Sequence, residues 1–387
     1  MNYDKNNIPS LRFPEFKYDW EKKKLGEVAE IGRGKSKHRP RNAKFLYGGE
    51  YPFIQTGDIR NAELYLDTYS HTYSEAGLKQ SKLWNENTLC ITIAANIAET
   101  TILKIKACFP DSIIGLIPKE NETIVLFVKN LFDKFKIEIQ SLSQGVAQAN
   151  LNQEKLSNIE FSFPTLAEQT KIANLFTAID DKLQSLKKKK HLLEQYKKGA
   201  MQQLFSGKLR FKDENGEDYA DWEMKKLGEV ARITTGSSNR QDSNLDGKYT
   251  FFDRSQDIRT SDRFLFDAEA IIVPGEGQEF IPKYFRGKFD LHQRTYAIMD
   301  FNGINGTFLF YSISFNTNHL DSHAVGSTVK SLRLPMFETM PINFPCLEEQ
   351  TKIANFLSSL DEKINSTNNQ ITKTQEWKKG LLQQMFV

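Results

Sequence analysis

One loop of this 387-residue chain concentrates cationic side chains without any acid. Residues 32–44 read GRGKSKHRPRNAK, and the lysines and arginines among them are Arg33, Lys35, Lys37, Arg39, Arg41 and Lys44. This density of positive charge can hold a phosphate backbone electrostatically. A disordered basic loop is the alternative. We favour contact with double-stranded DNA, and we predict it for all of these residues except Lys44.

A second polar loop has a different chemistry. Residues 236–246 read GSSNRQDSNLD, and Ser238, Asn239, Arg240 and Gln241 lie near its start. Amide and guanidinium groups of this kind can read the edges of bases. Polar loops are common, so the motif alone is weak, but it predicts DNA contacts by these four residues.

Two further pairs of segments align between the halves of the chain. Residues 51–60 (YPFIQTGDIR) resemble residues 249–259 (YTFFDRSQDIR), with one inserted residue. Both place polar side chains after a predicted strand, where loops carry function. The DNA-contact candidates here are Gln55, Thr56, Arg60, Arg254, Gln256 and Arg259. Asn96 and Gln278 are candidates in two later strand-turn segments, where ordinary hairpin turns are the alternative.

Catalytic motifs are missing from the sequence. Gly34-Lys35-Ser36 suggests a P-loop, but that motif needs a glycine at position 29, where this chain has Ala29. No HExxH, GxSxG, CxxC or Asn/Asp-Pro-Pro-Tyr/Phe string occurs, and His319 and His323 lack an evident third metal ligand. We therefore predict no catalytic residue and no metal site, and we interpret the chain as a binding protein.

Composition predicts a globular protein with local charge. Lysine and arginine number 52 against 49 acids, so the net charge of +3 indicates no particular partner. The 39% of hydrophobic residues excludes a disordered or collagenous chain. No apolar run approaches the roughly 18 residues of a membrane span. With three widely separated cysteines and no apolar leader, the expectation is a cytoplasmic protein without membrane contact.

Internal duplication indicates how these loops are positioned. Asp19-Trp20-Glu21 and the KKLGEV string after it recur 202 residues later, from Asp221. The string EQTKIAN recurs at a separation of 181, at residues 168–174 and 349–355. Two copies of one unit predict pseudo-two-fold symmetry. A duplicated scaffold with no shared function is the alternative.

The repeated segments predict two long helices. Ten positions from 172 to 204, spaced alternately four and three, hold eight apolar residues, and the equivalent positions 353–385 hold seven. Thr165 and Glu168 fit a capping box, and Gly207 is a stop signal. Such helices would span roughly 60 Å and pair as an antiparallel coiled coil. The lysine run 187–190 is interpreted as a solvated face.

The segments between the repeats predict two α/β (α+β) domains. Strand patterns occur at 51–59, 88–93, 101–117 and 123–128, and again at 249–252, 270–274, 295–300 and 307–313. The predicted boundaries are 1–164 and 207–345 for the two domains, with spacer helices at 165–206 and 346–387.

In this order, the motifs resemble the specificity subunit of type I restriction-modification enzymes. The resemblance rests on Trp-Glu-x-x-x-Leu-Gly-Glu-Val at Trp20 and Trp222, and on a proline followed by Glu-Gln-x-x-Ile-Ala at Glu168 and Glu349. Each motif alone is modest, but four in this order cover essentially the whole chain. The resemblance implies two target-recognition domains, each reading one half of a bipartite, asymmetric DNA sequence.

The resemblance also implies partners and a role in phage defence. The paired helices would fix the gap between half-sites and dock two modification subunits, which methylate adenine with S-adenosylmethionine. Restriction subunits would translocate and cleave unmodified DNA with ATP and Mg²⁺. The chain itself would bind no cofactor and have no active site. The alternatives are a self-sufficient DNA-modifying or DNA-cleaving enzyme and a structural coiled-coil adaptor.

Overall fold

The computed structural model describes residues 7–94, 96–142, 151–255 and 257–387. The chain forms two compact units, Met1–Lys187 with Asn369–Val387 and Lys188–Asn368. Each unit contains a mixed α/β region and a segment of each of the two long helices. The compact units therefore divide both helices, whereas the sequence interpretation set each helix apart as a segment of its own.

The first unit is built from short strands and short helices before its first long helix. Its strands are Glu21–Lys24 (β1), Ala29–Arg33 (β2), Tyr47–Phe53 (β3), Tyr65–Leu66 (β4), His71–Tyr73 (β5), Leu83–Trp84 (β6), Leu89–Thr92 (β7), Thr100–Leu103 (β8), Ala107–Cys108 (β9), Ile113–Pro118 (β10) and Glu160–Phe163 (β11). Its helices are Leu25–Val28 (α1), Thr56–Asn61 (α2), Glu75–Lys79 (α3), Val125–Lys134 (α4), Lys136–Ser141 (α5), Gln153–Ser157 (α6) and the start of Leu166–Phe205 (α7).

Three sheets organise these strands. The five-stranded sheet has the order β2-β10-β7-β8-β4, and the four-stranded sheet has the order β5-β3-β9-β6. β1 pairs antiparallel with β11 directly before α7. The core includes the fully buried β7 and β10 residues Leu89 and Ile114, packed with Phe127 of α4 and Phe176 of α7. Burial of these large apolar side chains ties the sheet to the long helix.

The second unit repeats the outer elements but has a different sheet. Its strands are Glu223–Lys226 (β12), Arg232–Thr235 (β13), Tyr249–Phe252 (β14), Arg259–Ser261 (β15), Phe266–Pro274 (β16), Glu276–Gly277 (β17), Lys283–Leu291 (β18), Thr295–Met299 (β19), Lys330–Ser331 (β20) and Pro341–Phe344 (β21). Its helices are Leu227–Val230 (α8), Gly306–Phe315 (α9), Thr317–His323 (α10), Leu334–Glu338 (α11) and the first part of Leu347–Met385 (α12).

A six-stranded sheet in the order β13-β19-β16-β18-β14-β15 forms the centre of the second unit. β12 pairs with β21 as β1 pairs with β11, and β17 pairs with β20. The mixed α/β class predicted from the sequence is confirmed. The two units share their frame but differ in the sheets that carry their loops.

Two strand predictions are wrong. Residues 123–128 lead into α4, and residues 307–313 lie within α9. Both segments are short and nearly all apolar, and such a run fits a buried helix as well as a buried strand. Residues 54–59 likewise leave the strand and enter α2 at Thr56.

The apolar seam of the long helices is confirmed. Each of its twenty positions is buried or half-buried. In the first unit, Asp180 of α7 pairs with Lys378 of α12 at 2.6 Å. In the second unit, Lys190 bonds Asn368 at 2.9 Å and Lys197 pairs with Asp361 at 2.6 Å. From Lys190 to Lys197, α7 advances by seven residues, and the partners on α12 go back by seven, from Asn368 to Asp361. The paired segments of the second unit are therefore antiparallel.

Gly207 ends α7 as predicted. Its φ of +71° is the left-handed conformation that favours glycine, and its N–H donates to the Leu204 carbonyl at 3.0 Å. The capping box at the other end of α7 is wrong in its second half. The backbone N–H of Glu168 reaches the Thr165 hydroxyl at 3.5 Å, but the Glu168 carboxylate faces the N-terminal segment instead.

The repeated glutamates anchor the segments that enter each unit. The Glu168 carboxylate is buried and accepts from Arg12 Nε and Nη2 at 2.7 and 2.8 Å, and from the Trp20 indole at 3.4 Å. In the second unit, Arg210 donates to Glu349 at 2.7 and 3.3 Å. Arg12 and Arg210 are the middle residues of two identical Leu-Arg-Phe strings, at 11–13 and 209–211, and in each unit this string meets the repeated Glu-Gln string through an ion pair.

Candidate nucleic-acid interface

The sheet edge of the first unit holds the basic loop by its backbone. Gly34 N donates to the Ile113 carbonyl at 2.9 Å and Lys35 N to the Phe109 carbonyl at 3.0 Å. The neighbouring carbonyl of Cys108 accepts from Ile54 N at 2.8 Å, directly before Gln55. The start of the basic loop and Gln55 therefore flank the same short segment at the end of β9.

Three of the predicted arginines also shape this loop. Arg39 Nη1 donates to backbone carbonyls of its own loop, at 2.7 Å to that of Ser36. Arg41 forms an ion pair with the Asp111 carboxylate at 2.7 Å, and Arg33 donates to the Asp111 carbonyl. The exposed Arg41 keeps part of its guanidinium towards solvent, but its charge is partly compensated.

Lys35 and Lys37 are the predicted contact residues of the loop whose charged groups have no partner among the described residues. Both are exposed, and their ammonium groups make no hydrogen bond or ion pair within the described ranges. Their flanking backbone is fixed, since the Lys35 carbonyl accepts from Ser81 Oγ at 2.8 Å. Two fixed, free cations are suited to phosphate contacts.

Aromatic and amide groups connect the basic loop to the start of α2. Tyr47 donates to the Arg41 carbonyl at 2.9 Å, and its ring lies edge-on to His71, 5.9 Å between centroids. Gln55 Nε2 lies 3.2 Å from His71 Nδ1, and Thr56 is the first residue of α2. His71 was not predicted as a site residue, because no motif distinguishes it in the sequence.

The structure does not bring Arg60 and Asn96 into this group. Arg60 lines a separate cavity of about 510 Å³ with Glu63, Asp181 and Lys187. Asn96 is half-buried, and its carbonyl accepts from the Thr92 hydroxyl. Their DNA contacts stay predictions.

In the second unit a cavity of about 500 Å³ gathers four predicted residues, Asn239, Arg240, Gln241 and Arg254. The other lining residues are Asp253, Glu276, His292, Gln293 and Arg294. They come from the loop after β13, the end of β14, β17 and the β18–β19 connection. We call this cavity the second-unit pocket.

The carboxylates of the second-unit pocket are satisfied by neighbouring groups. Glu276 accepts from Arg294 Nη1 at 2.8 and 2.9 Å, with Arg254 at 3.6 Å. Burial acts to raise the pKa of Asp253, but hydrogen bonds from Ser255 and the nearby Arg240 outweigh it and hold that pKa below its usual value. Asp253 is thus suited to orienting cations in its ionised form.

Burial, assisted by the positive charges of Arg294 and Arg254, lowers the pKa of His292 despite Asp253 nearby. The backbone N–H of Arg294 donates to His292 Nδ1 at 3.1 Å, as a neutral ring allows. Five pocket residues were not predicted from the sequence: Asp253, Glu276 and the consecutive residues His292, Gln293 and Arg294. For the last three a signal was present. The available signal was three consecutive polar residues immediately before a predicted strand.

Ser238 is buried and is not part of the pocket lining, although it directly precedes Asn239. Its buried hydroxyl donates to Asp290 and accepts from Arg263 Nη2 at 2.8 Å. The other predicted residues lie outside the pocket lining: Arg259 is half-buried against Ser243, and Gln278 donates to the Thr328 carbonyl at 3.0 Å. Gln256 falls outside the described residues.

The two units thus define a protein that presents two differently built polar surfaces on a repeated helical frame. A family model described as "Type I restriction modification DNA specificity domain" matches residues 17–195 and 219–375, well over half of the chain. The chain therefore belongs to this family and is a specificity subunit of the type I restriction-modification class.

Curated relatives carry the same description. The chain is 24% identical over 407 residues to the MjaVIII specificity subunit of Methanocaldococcus jannaschii, covering 96% of this chain and 92% of the relative. It is 31% identical over 147 residues to the EcoDI specificity subunit of Escherichia coli, covering 38% of this chain. The matched part spans only 33% of that relative's length, and 54% of the MjaIX specificity subunit.

Solved structures agree at the level of the fold. The specificity subunit from M. genitalium superposes with a TM-score of 0.68 at 16% identity, covering 98% of this chain and 99% of that one. A chain from a structure of a type I system gives a TM-score of 0.51 at 12% identity, covering 94% and 96%. Within the described part of the chain, no helix is long and apolar enough to span a bilayer.

Proposed function

We propose that this chain reads a bipartite, asymmetric DNA sequence, with one half-site for each unit. The observation that carries the proposal is the difference between the two polar surfaces on a shared frame. The first unit offers the free cations Lys35 and Lys37 beside Gln55, and the second offers the amide- and arginine-lined pocket around Asn239. Surfaces of different chemistry read different bases, so the target is not a palindrome.

The long helices serve in this proposal as a spacer and a docking site. Leu192, Tyr196 and Trp377 lie on α7 and α12, and more than half of each side chain is exposed. Aromatic residues exposed on a regular element are typical of protein interfaces. We assign these exposed helix residues, two in the second unit and one in the first, to the docking of two modification subunits, with restriction subunits joining the complex.

Catalysis belongs to the partner subunits in this proposal. Methyl transfer to adenine would use S-adenosylmethionine on the modification subunits, and translocation and cleavage would use ATP and Mg²⁺ on the restriction subunits. The chain contributes target choice, the spacer and the docking site, and the complex acts on cytoplasmic DNA.

Single-molecule methylome sequencing tests this function. Cells expressing the chain with its cognate modification subunit are compared with cells expressing the modification subunit alone. We expect a bipartite methyl-adenine motif with two different half-sites only when the chain is present. An assembled complex that produces no new motif would contradict the proposal, and so would a palindromic motif.

A further inference from the structure

The second-unit pocket contains a side-chain amide pair that faces solvent. Gln293 Nε2 donates to Asn239 Oδ1 at 2.7 Å, and both side chains are exposed. This bond uses one donor of Gln293 and one acceptor position of Asn239. Asn239 Nδ2 and Gln293 Oε1 make no hydrogen bond to any other described residue, so the pair retains a donor and an acceptor.

The backbone of both residues is fixed. Asn239 N donates to the Asp242 carboxylate at 2.7 Å, and Gln293 N donates to the Ser238 carbonyl at 2.9 Å. The two amides therefore come from separate loops that are joined by a backbone hydrogen bond one residue away. A fixed backbone and the bond between the two amides reduce the conformational entropy that the side chains lose on binding, which favours a recognition role.

The donor and acceptor of the pair match one base edge in the major groove. Adenine presents N7 as an acceptor beside the N6 amino donor, and side-chain amides are the groups that pair with this edge. Guanine presents two acceptors there, and cytosine presents a donor without a neighbouring acceptor. An amide donor beside an amide acceptor satisfies adenine better than it satisfies either of these.

Two of the three pocket arginines are held by a carboxylate. Arg294 and Arg254 both pair with Glu276. They provide positive charge along the pocket wall, where phosphates can be held. Asn239 and Gln293 are thus a neutral, directional pair within the pocket.

We propose that the Asn239–Gln293 pair reads one adenine in the half-site that the second unit recognises. The inference rests on the proposed function, since it needs the pocket to face DNA. It assigns a base and two residues to a surface for which the family relationship gives no base.

The test is methylome sequencing of cells that express the cognate modification subunit with wild-type chain, Asn239→Ala, Gln293→Ala or the double variant. We expect one A·T position in one half-site to become degenerate, with a loss of discrimination of about 5- to 100-fold. The other half-site stays unchanged. Because the amides act as one unit, the double variant matches the single variants instead of adding to them.

Two further variants sharpen the result. Gln293→Glu keeps the size of the side chain but replaces the donor that bonds Asn239 Oδ1 with a second acceptor oxygen. The pair is then broken, and a carboxylate accepts from cytosine N4, so the same position shifts away from adenine. Asn343→Ala removes an exposed amide of β21, outside the pocket, and leaves the motif intact.

Relaxation at a G·C pair, a uniform loss across the half-site, or an unchanged motif would each overturn the adenine assignment. A uniform loss would mean that the pair only supports the loop. Absence of any bipartite motif with the wild-type chain would instead refute the proposed function, so the two failures are distinguishable.

Discussion

At the scale of single residues, the free cations of the first unit predict the salt dependence of DNA binding. Lys35 and Lys37 are exposed and uncommitted, so each can neutralise one phosphate. Lys35→Ala with Lys37→Ala is expected to reduce the slope of log affinity against log salt by about 2, equally for all sequences. Fluorescence anisotropy of the assembled complex between about 50 and 200 mM salt measures this slope.

Lys188→Ala with Lys189→Ala is the matched control for that measurement. These lysines are exposed on α7, and the run was interpreted as a solvated face. The control should keep the wild-type slope. If both double variants lower the slope equally, the basic loop has no special role in phosphate binding.

A second residue-scale prediction concerns the buried ion pair at the start of α7. Glu168 is about 1% exposed and accepts two hydrogen bonds from Arg12. Glu168→Gln leaves the guanidinium without its counter-charge and is expected to lower the free energy of unfolding by about 3 kcal/mol. Urea unfolding followed by tryptophan fluorescence gives this value.

Glu154→Gln provides the comparison for Glu168→Gln, because Glu154 is exposed on α6. It should change the unfolding free energy by less than about 0.5 kcal/mol. Equal effects of the two variants would show that the repeated glutamate does not act through its buried contact.

At the scale of elements, β18 positions the loop that carries Asn239. Its penultimate residue, Asp290, is buried and accepts from Ser238, from Ser261 Oγ at 2.8 Å and from Leu291 N at 2.9 Å. Asp290→Asn replaces an acceptor with a donor that faces donors, at a cost of about 3 kcal/mol. We expect the whole second half-site to lose specificity together, which methylome sequencing can detect.

Asp267→Asn is the control for Asp290→Asn, since Asp267 is exposed on β16 of the same sheet. Loosening confined to one base pair in Asp290→Asn would contradict a positioning role for β18. It would place Asp290 in direct contact with DNA instead.

The elements also show what the sequence could predict. The long helices were predictable because an apolar seam repeated over many turns is a strong signal. The strand predictions at α4 and α9 are wrong because these helices bury apolar residues on most sides. Their sequences therefore lack the alternation of apolar and polar residues, at a period of 3.6, that marks a half-exposed helix. Asn239 and Arg254 were predicted from loop polarity. Gln293 was missed because its contact with Asn239 spans 54 residues, and its local signal was only the short polar run before β19.

At the scale of the whole molecule, the repeat predicts that the chain can be cut and rejoined. At the end of α7, the Leu209 N–H donates to the Gln203 carbonyl at 3.1 Å. These two residues belong to one continuous segment of the chain. In the first unit, the Leu11 N–H donates to the equivalent Gln384 carbonyl at 2.9 Å. The contact between the end of a long helix and the following Leu-Arg-Phe string therefore occurs twice. In the second unit the two parts are consecutive in the chain, and in the first unit they are distant in sequence.

A circular permutant exchanges these two junctions. Val387 is joined to Asn7 by a short Gly/Ser linker, and the chain is opened between Gly207 and Lys208. The hydrogen bond and the ion pair of Arg210 with Glu349 then hold the opened junction, as Arg12 and Glu168 hold the other one now. We expect the permutant to specify the same bipartite motif with the same gap between half-sites.

Opening the chain within α9, between Leu309 and Phe310, is the informative comparison. Leu309 is fully buried, so this cut breaks a helix whose core contacts cannot be restored by a junction of the repeated kind. We expect that permutant to give no methylation. If both permutants fail, the covalent link at Gly207 is required. If both succeed, the contacts at Leu11 and Leu209 are not what makes the first opening tolerable.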